Sequence, residues 1–255
     1  MSVNGFDVFD GDGHVLEDTD ELIRYYEGDY AGRTRATALG LFPGLDGWSR
    51  GAMIGKEDSN RKYWHTDAAV WAECLADIGA DGSVLYPTAA LAHGLMRDVP
   101  FAIATATAYN NWLEDHYTRQ DDRLHGAGVV PVQDPVAAAA EIRRCAKDRK
   151  NFPAMVLPTV TKTGKTYGDA FFWPIFEAAE ECDIALALHG APSEGFGFDH
   201  FTRYISSHTL EHPVPLFINL TDMMFAGVFD RFPKLRFAFL EGGCSWVPFM
   251  MDRMD

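Results

Sequence analysis

The chain has 255 residues, 47% hydrophobic and 23% charged, with a net charge of −15. That composition belongs to a packed globular chain and excludes a disordered or fibrous one; the length suits one large domain or two small ones. The acidic surplus disfavours nucleic acid and anionic membrane surfaces, because phosphate recognition needs clustered Lys and Arg.

Short apolar runs with helical patterns between them follow in chain order. "FDVFD" (6–10) reads as the first strand. Residues 28–66, rich in Gly, Arg, Trp and Asp with weak periodicity, read as an insertion after it, a lid or subunit contact. "DGSVLYP" (81–87) is the second strand, and a helix over 100–117 starts at Pro100 with Phe101, Ala104, Ala108 and Trp112 on one face. "LHGAGVVPV" (124–132) is the third strand. The helix over 134–150 has Asp134 as cap, Pro135 at its first position and a basic last turn that suits the helix dipole. "FPAMVLP" (152–158), the helix at 174–182 and "IALALHG" (184–190) follow. Then come a Gly- and aromatic-rich loop (190–203), a helical stretch over 214–230 and the strand "LRFAFLEGG" (235–243). Most strands are continuously apolar, which suits burial on both faces of a parallel sheet.

Alternating strand and helix indicate an α/β fold, either a (β/α)8 barrel or a doubly wound sheet. Polar or ionisable residues just past the strand ends favour the barrel, whose active sites lie at that rim: Asp12, His14, Thr88, Gln133, Asp134, His189 and Glu241. No Gly-rich phosphate fingerprint follows the first strand. Six strands are visible where a closed barrel needs eight, so the reading is one TIM-barrel-type domain over 1–255, lacking the last two βα units. The widely spaced Cys74, Cys145, Cys182 and Cys244 read as reduced thiols. With no signal-peptide pattern at the start and no apolar run near ~20 residues, the expectation is a soluble, cytoplasmic protein.

In "FDGDGHVLED" (9–18), Asp12 and His14 are two residues apart. On an extended strand both face one side and can reach one ion at ~2.0–2.2 Å. His189, at the end of an apolar strand, is the candidate third ligand, since a polar group there needs a partner. A D-x-H alone is equally an acidic turn; its place opposite His189 gives it weight. Asp10 and Glu17 read as supporting or capping residues. Glu241, before Gly242 and Gly243, is a candidate acid, base or metal-side carboxylate, against an ion pair with Arg236 or Arg253. His208 and His212 lie on or beside a helical segment, where helix-start or surface roles compete with lining a site; His212 is the catalytic candidate of the two. Among the aromatics, Trp173, Phe196 and Trp246 are candidate walls of an apolar or aromatic substrate pocket, with core packing the competing role for each.

Four stretches together resemble the amidohydrolase-related proteins of the aminocarboxymuconate-semialdehyde decarboxylase type, metal-dependent enzymes on a TIM-barrel scaffold. They are "FDGDGHVLED", "AYNNWLEDHY…DDRLHGAGVVPVQDPVAAAAEIRR", "MVLPTV…YGDAFFWPIFEAAEECDIALALHGAP" and "GVFDRFPKLRFAFLEGGCSWVPFMMDRMD". The resemblance covers nearly all of the chain except 28–66. It implies one divalent ion, zinc or manganese, held by Asp12, His14 and His189, although members carry His or Glu where this chain has Asp12. Glu241 falls where the decarboxylases place a catalytic histidine. The resemblance also implies a last ligand on a final strand beyond Asp255, hence weak metal binding and turnover from these 255 residues alone. The function it implies is non-oxidative decarboxylation of a small aromatic or unsaturated carboxylate. A metal-dependent hydrolase with an activated water and an inactive ligand- or partner-binding barrel are the alternatives. The expected partners are a small-molecule substrate and further copies of the chain in a homodimer or higher homo-oligomer.

Overall fold

The computed structural model describes residues 6–32, 41–42, 67–191 and 195–255. Six parallel strands stand in the order of the chain: β1 (Phe9–His14), β2 (Gly82–Tyr86), β3 (Leu124–Val129), β4 (Ala154–Pro158), β5 (Ala185–His189) and β6 (Phe237–Leu240). The helices are α1 (Thr19–Leu22), α2 (Ala68–Ile78), α3 (Val99–Leu113), α4 (Pro135–Asp148), α5 (Trp173–Glu181), α6 (Tyr204–Glu211), α7 (Pro213–Phe225), α8 (Val228–Arg231) and α9 (Trp246–Met254).

Strand order 1 to 6 is that of a barrel; a doubly wound sheet would reverse direction part way. Neighbouring strands lie about 4.8 Å apart, so a flat sheet would put β1 about 19 Å from β5. Yet His14 Nε2 of β1 and His189 Nε2 of β5 are 3.1 Å apart. The sheet is curled into a half-barrel.

Side-chain alternation divides the sheet into two faces. Ala154, Val156, Ala187, Ala238 and Leu240 share the inner cluster with Tyr86 and Leu91. Met155, Leu157, Leu186, Leu188, Phe237 and Phe239 join the outer core, against Phe172, Ile175 and Phe176 from the helical layer. Small residues inside and large ones outside are what curvature requires, since the concave face has less room. On β5 the alternation carries Ala185 and Ala187 inward and delivers His189 to the same concave side, fully buried.

The helices begin as their capping residues demand. Asp67 accepts from Val70 N, Asp98 from Phe101 N, and Asp134 from Val136 N and Ala137 N. Residues 68–78, to which the chain-order reading assigns no element, form α2, closed by Gly79 in the left-handed region (φ 74°). The helix expected over 100–117 passes at Glu114–Thr118 into a π-helical turn. Of the expected insertion, only 28–32 and 41–42 belong to the described residues, Gly28–Tyr30 forming a single 3-10 turn; the rest lies outside them.

The first strand corrects the expectation. It runs from Phe9 to His14, not over 6–10. Phe6 and Phe9 are 76% and 55% exposed, so their apolar character does not mark burial. Pairing with β2 sets the boundary: Phe9 opposes Gly82 and His14 opposes Tyr86, with a register shift between Asp10 and Gly13. Asp12 and His14 therefore belong to the strand itself.

Candidate metal centre

Three side chains converge inside the curl. His189 Nε2 lies 3.3 Å from Asp12 Oδ1 and 3.1 Å from His14 Nε2, and His14 Nε2 lies 3.9 Å from Asp12 Oδ1. Gly13 permits this approach of β1 to β2, because a Cβ there would fall 2.3 Å from Ser83 Oγ. Asp10 ties the bulged strand by accepting from Ser83 Oγ and Asp12 N.

The protons on the two imidazoles follow from their partners. His14 Nδ1 donates to the Pro87 carbonyl (2.8 Å) and His189 Nδ1 to the Gly190 carbonyl (2.5 Å). A carbonyl only accepts, so each Nδ1 carries the hydrogen and each neutral ring turns a bare Nε2 lone pair inward. Burial first, and then the neighbouring His189, lowers the His14 pKa, which keeps that ring neutral near pH 7. Asp12 Oδ1 is a buried atom with no hydrogen-bond partner. Three acceptors thus face one another with no hydrogen between them. An unsatisfied buried acceptor costs about 1–3 kcal/mol, more when charged. A divalent cation removes that cost, and two imidazoles with a carboxylate are donors that zinc and manganese accept. The donor set fits the implied ion.

Glu17 supports this arrangement from outside it. Its carboxylate accepts from the backbone N–H groups of Thr88 (3.1 Å), Ala89 (2.9 Å) and Ala90 (2.9 Å). Those residues follow Pro87, whose carbonyl orients His14. Burial raises the Glu17 pKa, and the N–H groups of Ala90, Ala89 and Thr88 counter it.

Glu241 approaches the other side of the His189 ring, with Oε2 3.9 Å from Nδ1; its ligand atom lies within 4.8 Å of those of Asp12, His14 and His189. The backbone of Glu241 is in the left-handed region (φ 59°), which ends the β6 alternation. Its close partner is His212 Nε2 at 3.2 Å. The ion pair with Arg236 does not form: that guanidinium goes to Asp183 at 2.8 Å. Gly190 lets His212 this near, since a Cβ there would meet its side chain at 3.0 Å. Burial works against charge on both partners, but the pairing prevails: the His212 pKa is raised and that of Glu241 lowered. His208, Thr209, His212, Pro213, Glu241 and Gly242 line an adjoining cleft of about 350 Å³.

The three aromatic candidates occupy different places. Trp173 sits in the helical layer, with Arg231 over its ring at 4.0 Å and Phe232 at 6.4 Å. Trp246 packs on Phe217 and on the outward-facing Phe239, and donates to the Gly243 carbonyl. Phe196 is 53% exposed beside Phe198. A Cβ on Gly242, which lines the cleft, would lie 3.6 Å from Trp246 Nε1, so the Trp246 ring stands beside the cleft. Sequence reasoning gave no role to Glu211, a carboxylate 4% exposed beside His208; its burial has no local signal, because it depends on what α6 packs against.

A curled parallel sheet with imidazoles and carboxylates at its carboxyl-terminal edge defines a barrel-type α/β protein with a candidate metal centre. The chain belongs to the amidohydrolase family, whose model matches residues 66–255. It is 29% identical over 154 residues to the 2-amino-3-carboxymuconate-6-semialdehyde decarboxylase of Dictyostelium discoideum, covering 60% of this chain and 42% of that protein. It is 26% identical over 168 residues to a gamma-resorcylate decarboxylase of a Polaromonas species, covering 63% and 51%. The matches therefore span about half the length of these relatives. Among solved structures, the 5-carboxyvanillate decarboxylase of Novosphingobium aromaticivorans, with bound manganese and 3-methoxy-4-hydroxy-5-nitrobenzoic acid, shares the fold. The TM-score is 0.73 at 23% identity, over 98% of this chain and 70% of that one. The 2,6-dihydroxybenzoate decarboxylase of Rhizobium follows with a TM-score of 0.65 at 20% identity, over 98% and 70%. No described helix is long and apolar enough to cross a membrane.

Proposed function

We propose that the chain forms the metal-binding part of a metal-dependent, non-oxidative decarboxylase acting on a small aromatic or unsaturated carboxylate. The observation that carries this reading is the convergence of three proton-free acceptors, Asp12 Oδ1, His14 Nε2 and His189 Nε2, in a family whose relatives include decarboxylases. These residues would hold one zinc or manganese ion. When bound, the ion supplies Lewis-acid polarisation of a substrate oxygen.

The remaining work falls to the chain's own groups. The Pro87 and Gly190 carbonyls hold the two imidazoles in the metal-binding tautomer. The cleft next to Glu241 has the volume for one substituted ring. His212 and Glu241 share a hydrogen at 3.2 Å, so a proton can pass between Nε2 and Oε2 beside the substrate. A second reading, hydrolysis, is favoured by Glu241 itself. It is a carboxylate at the position where the resemblance places a histidine in decarboxylases, and a carboxylate can serve as base toward water.

The test is metal content of the purified chain, followed by assay with 2,6-dihydroxybenzoate, a ligand of one structural relative. The expected result is weakly bound metal and slow carbon dioxide release that stops on chelation. Oxygen-18 from labelled water entering an assayed product would favour the hydrolase. Unchanged metal affinity in both Asp12→Ala and His189→Ala would remove the metal assignment.

A further inference from the structure

The cleft beside the metal centre has a second polar wall that the proposed chemistry does not use. His208 lines it and is 42% exposed. Its Nδ1 lies 3.3 Å from Glu211 Oε1 and 3.2 Å from the Tyr204 hydroxyl. Glu211 is 4% exposed, and its Oε2 accepts from Ser207 Oγ at 3.0 Å. An ionised carboxylate only accepts, so the hydrogen of His208 sits on Nδ1. Nε2 is the nitrogen left to meet a ligand. The ring is also braced by its neighbours, edge-on to His212 at 4.7 Å and against Tyr204 at 5.1 Å. Burying a carboxylate on a short helix is costly unless its contacts offset the cost. Here those contacts orient one half-exposed imidazole that borders a cleft.

Resting on the decarboxylase reading above, we propose that this wall is the subsite for a phenolic hydroxyl of the substrate. His208 binds that hydroxyl through Nε2, and Glu211 is its positioning residue. The charge pattern selects a phenol over a second carboxylate. Glu241 stands at the wall, Glu211 lies buried behind His208, and the chain carries −15 overall, so another anion meets repulsion. A neutral hydroxyl does not, and it can donate to the Nε2 lone pair. The volume of about 350 Å³ fits one substituted ring.

Calorimetric titration of the manganese-loaded chain with 2,6-dihydroxybenzoate and with benzoate tests this. His208→Phe keeps a ring for packing and removes the acceptor. It should weaken 2,6-dihydroxybenzoate about tenfold, the value of one good hydrogen bond, and shift benzoate less than twofold. Glu211→Gln should weaken 2,6-dihydroxybenzoate in the same sense and move the His208 nitrogen-15 signals away from the Nδ1–H form, which a merely structural role for Glu211 would not do. Equal losses for both ligands, or no loss for either, overturn the assignment. If the parent chain binds neither acid, the decarboxylase reading falls with it; if the parent binds and the variants match it, only the His208 subsite falls. Should His208→Phe not fold, the Glu211→Gln titration and its nitrogen-15 spectrum decide alone.

Discussion

Two groups of histidines and carboxylates meet across Glu241, and they distribute their protons in opposite ways. In the first, Asp12, His14 and His189 bring three acceptors together with no hydrogen between them. In the second, His208, Glu211 and His212 sit on one helix and its end, and each close contact pairs a donor with an acceptor. Glu211 takes His208 Nδ1–H and the Ser207 hydroxyl, while His212 gives to Glu241 and to the His208 carbonyl. The difference has a structural origin. The first group comes from two strands whose neighbouring carbonyls occupy each Nδ1, leaving nothing to donate inward. The second comes from helical neighbours three and four residues apart, which select one another. Proximity of ligand-type atoms is common to both; only the first is frustrated without a cation.

The largest test of that contrast is metal affinity. Asp12→Ala or His189→Ala should lower manganese or zinc affinity by about 100-fold or more, beyond the 10–100-fold typical of a supporting residue, as read by calorimetry. His208→Phe should change it less than about threefold. Equal losses would mean that the two groups work as one. A smaller effect concerns Glu17: Glu17→Gln should cost about tenfold in metal affinity by loosening the Thr88–Ala90 segment behind Pro87, with unchanged helical circular dichroism. No loss would mean that the Pro87 carbonyl stays in place without it.

Titration without metal gives a finer comparison. His14 should titrate below the ordinary 6.5, through burial and then its neighbour His189; His212 should titrate above it, because Glu241 outweighs burial. The signs are opposite. Below pH 6.5 the unfolded chain binds a proton more readily than His14 does, so that residue's contribution to stability falls on acidification. The contribution of His212 is present below 6.5 and is lost as pH rises through its raised folded value. Imidazole nitrogen-15 titrations check both; a His14 midpoint above that of His212 would erase the distinction. The smallest expected effect is that of Glu241→Gln, which should bring the His212 midpoint down toward 6.5 while lowering metal affinity far less than Asp12→Ala.

Much of this was legible in the chain. Continuous apolar runs located five of the six strands closely, and Asp134-Pro135 placed the start of α4, because burial on two faces and backbone capping are local constraints. Asp12, His14 and His189 could be named because they stand at strand ends, where a polar side chain needs a reason. The first strand was misplaced because apolar residues on its exposed end look like core. Trp173 reads as a pocket wall because an aromatic at a rim and one packed in the helical layer look alike in sequence.

By itself, then, the sequence determined an α/β chain of parallel strands, its polar strand ends, and its membership in the amidohydrolase family. Only the tertiary structure decided that β1 curls round to β5, so that residues 175 positions apart lie 3.1 Å from each other. It alone decided that Glu241 turns to His212 instead of Arg236, and that Glu211 is buried against His208. Strand pattern and capping are set by neighbours along the chain. The direction of a ring nitrogen is set by whichever carbonyl or carboxylate arrives from elsewhere, and that is fixed only once the sheet has curled.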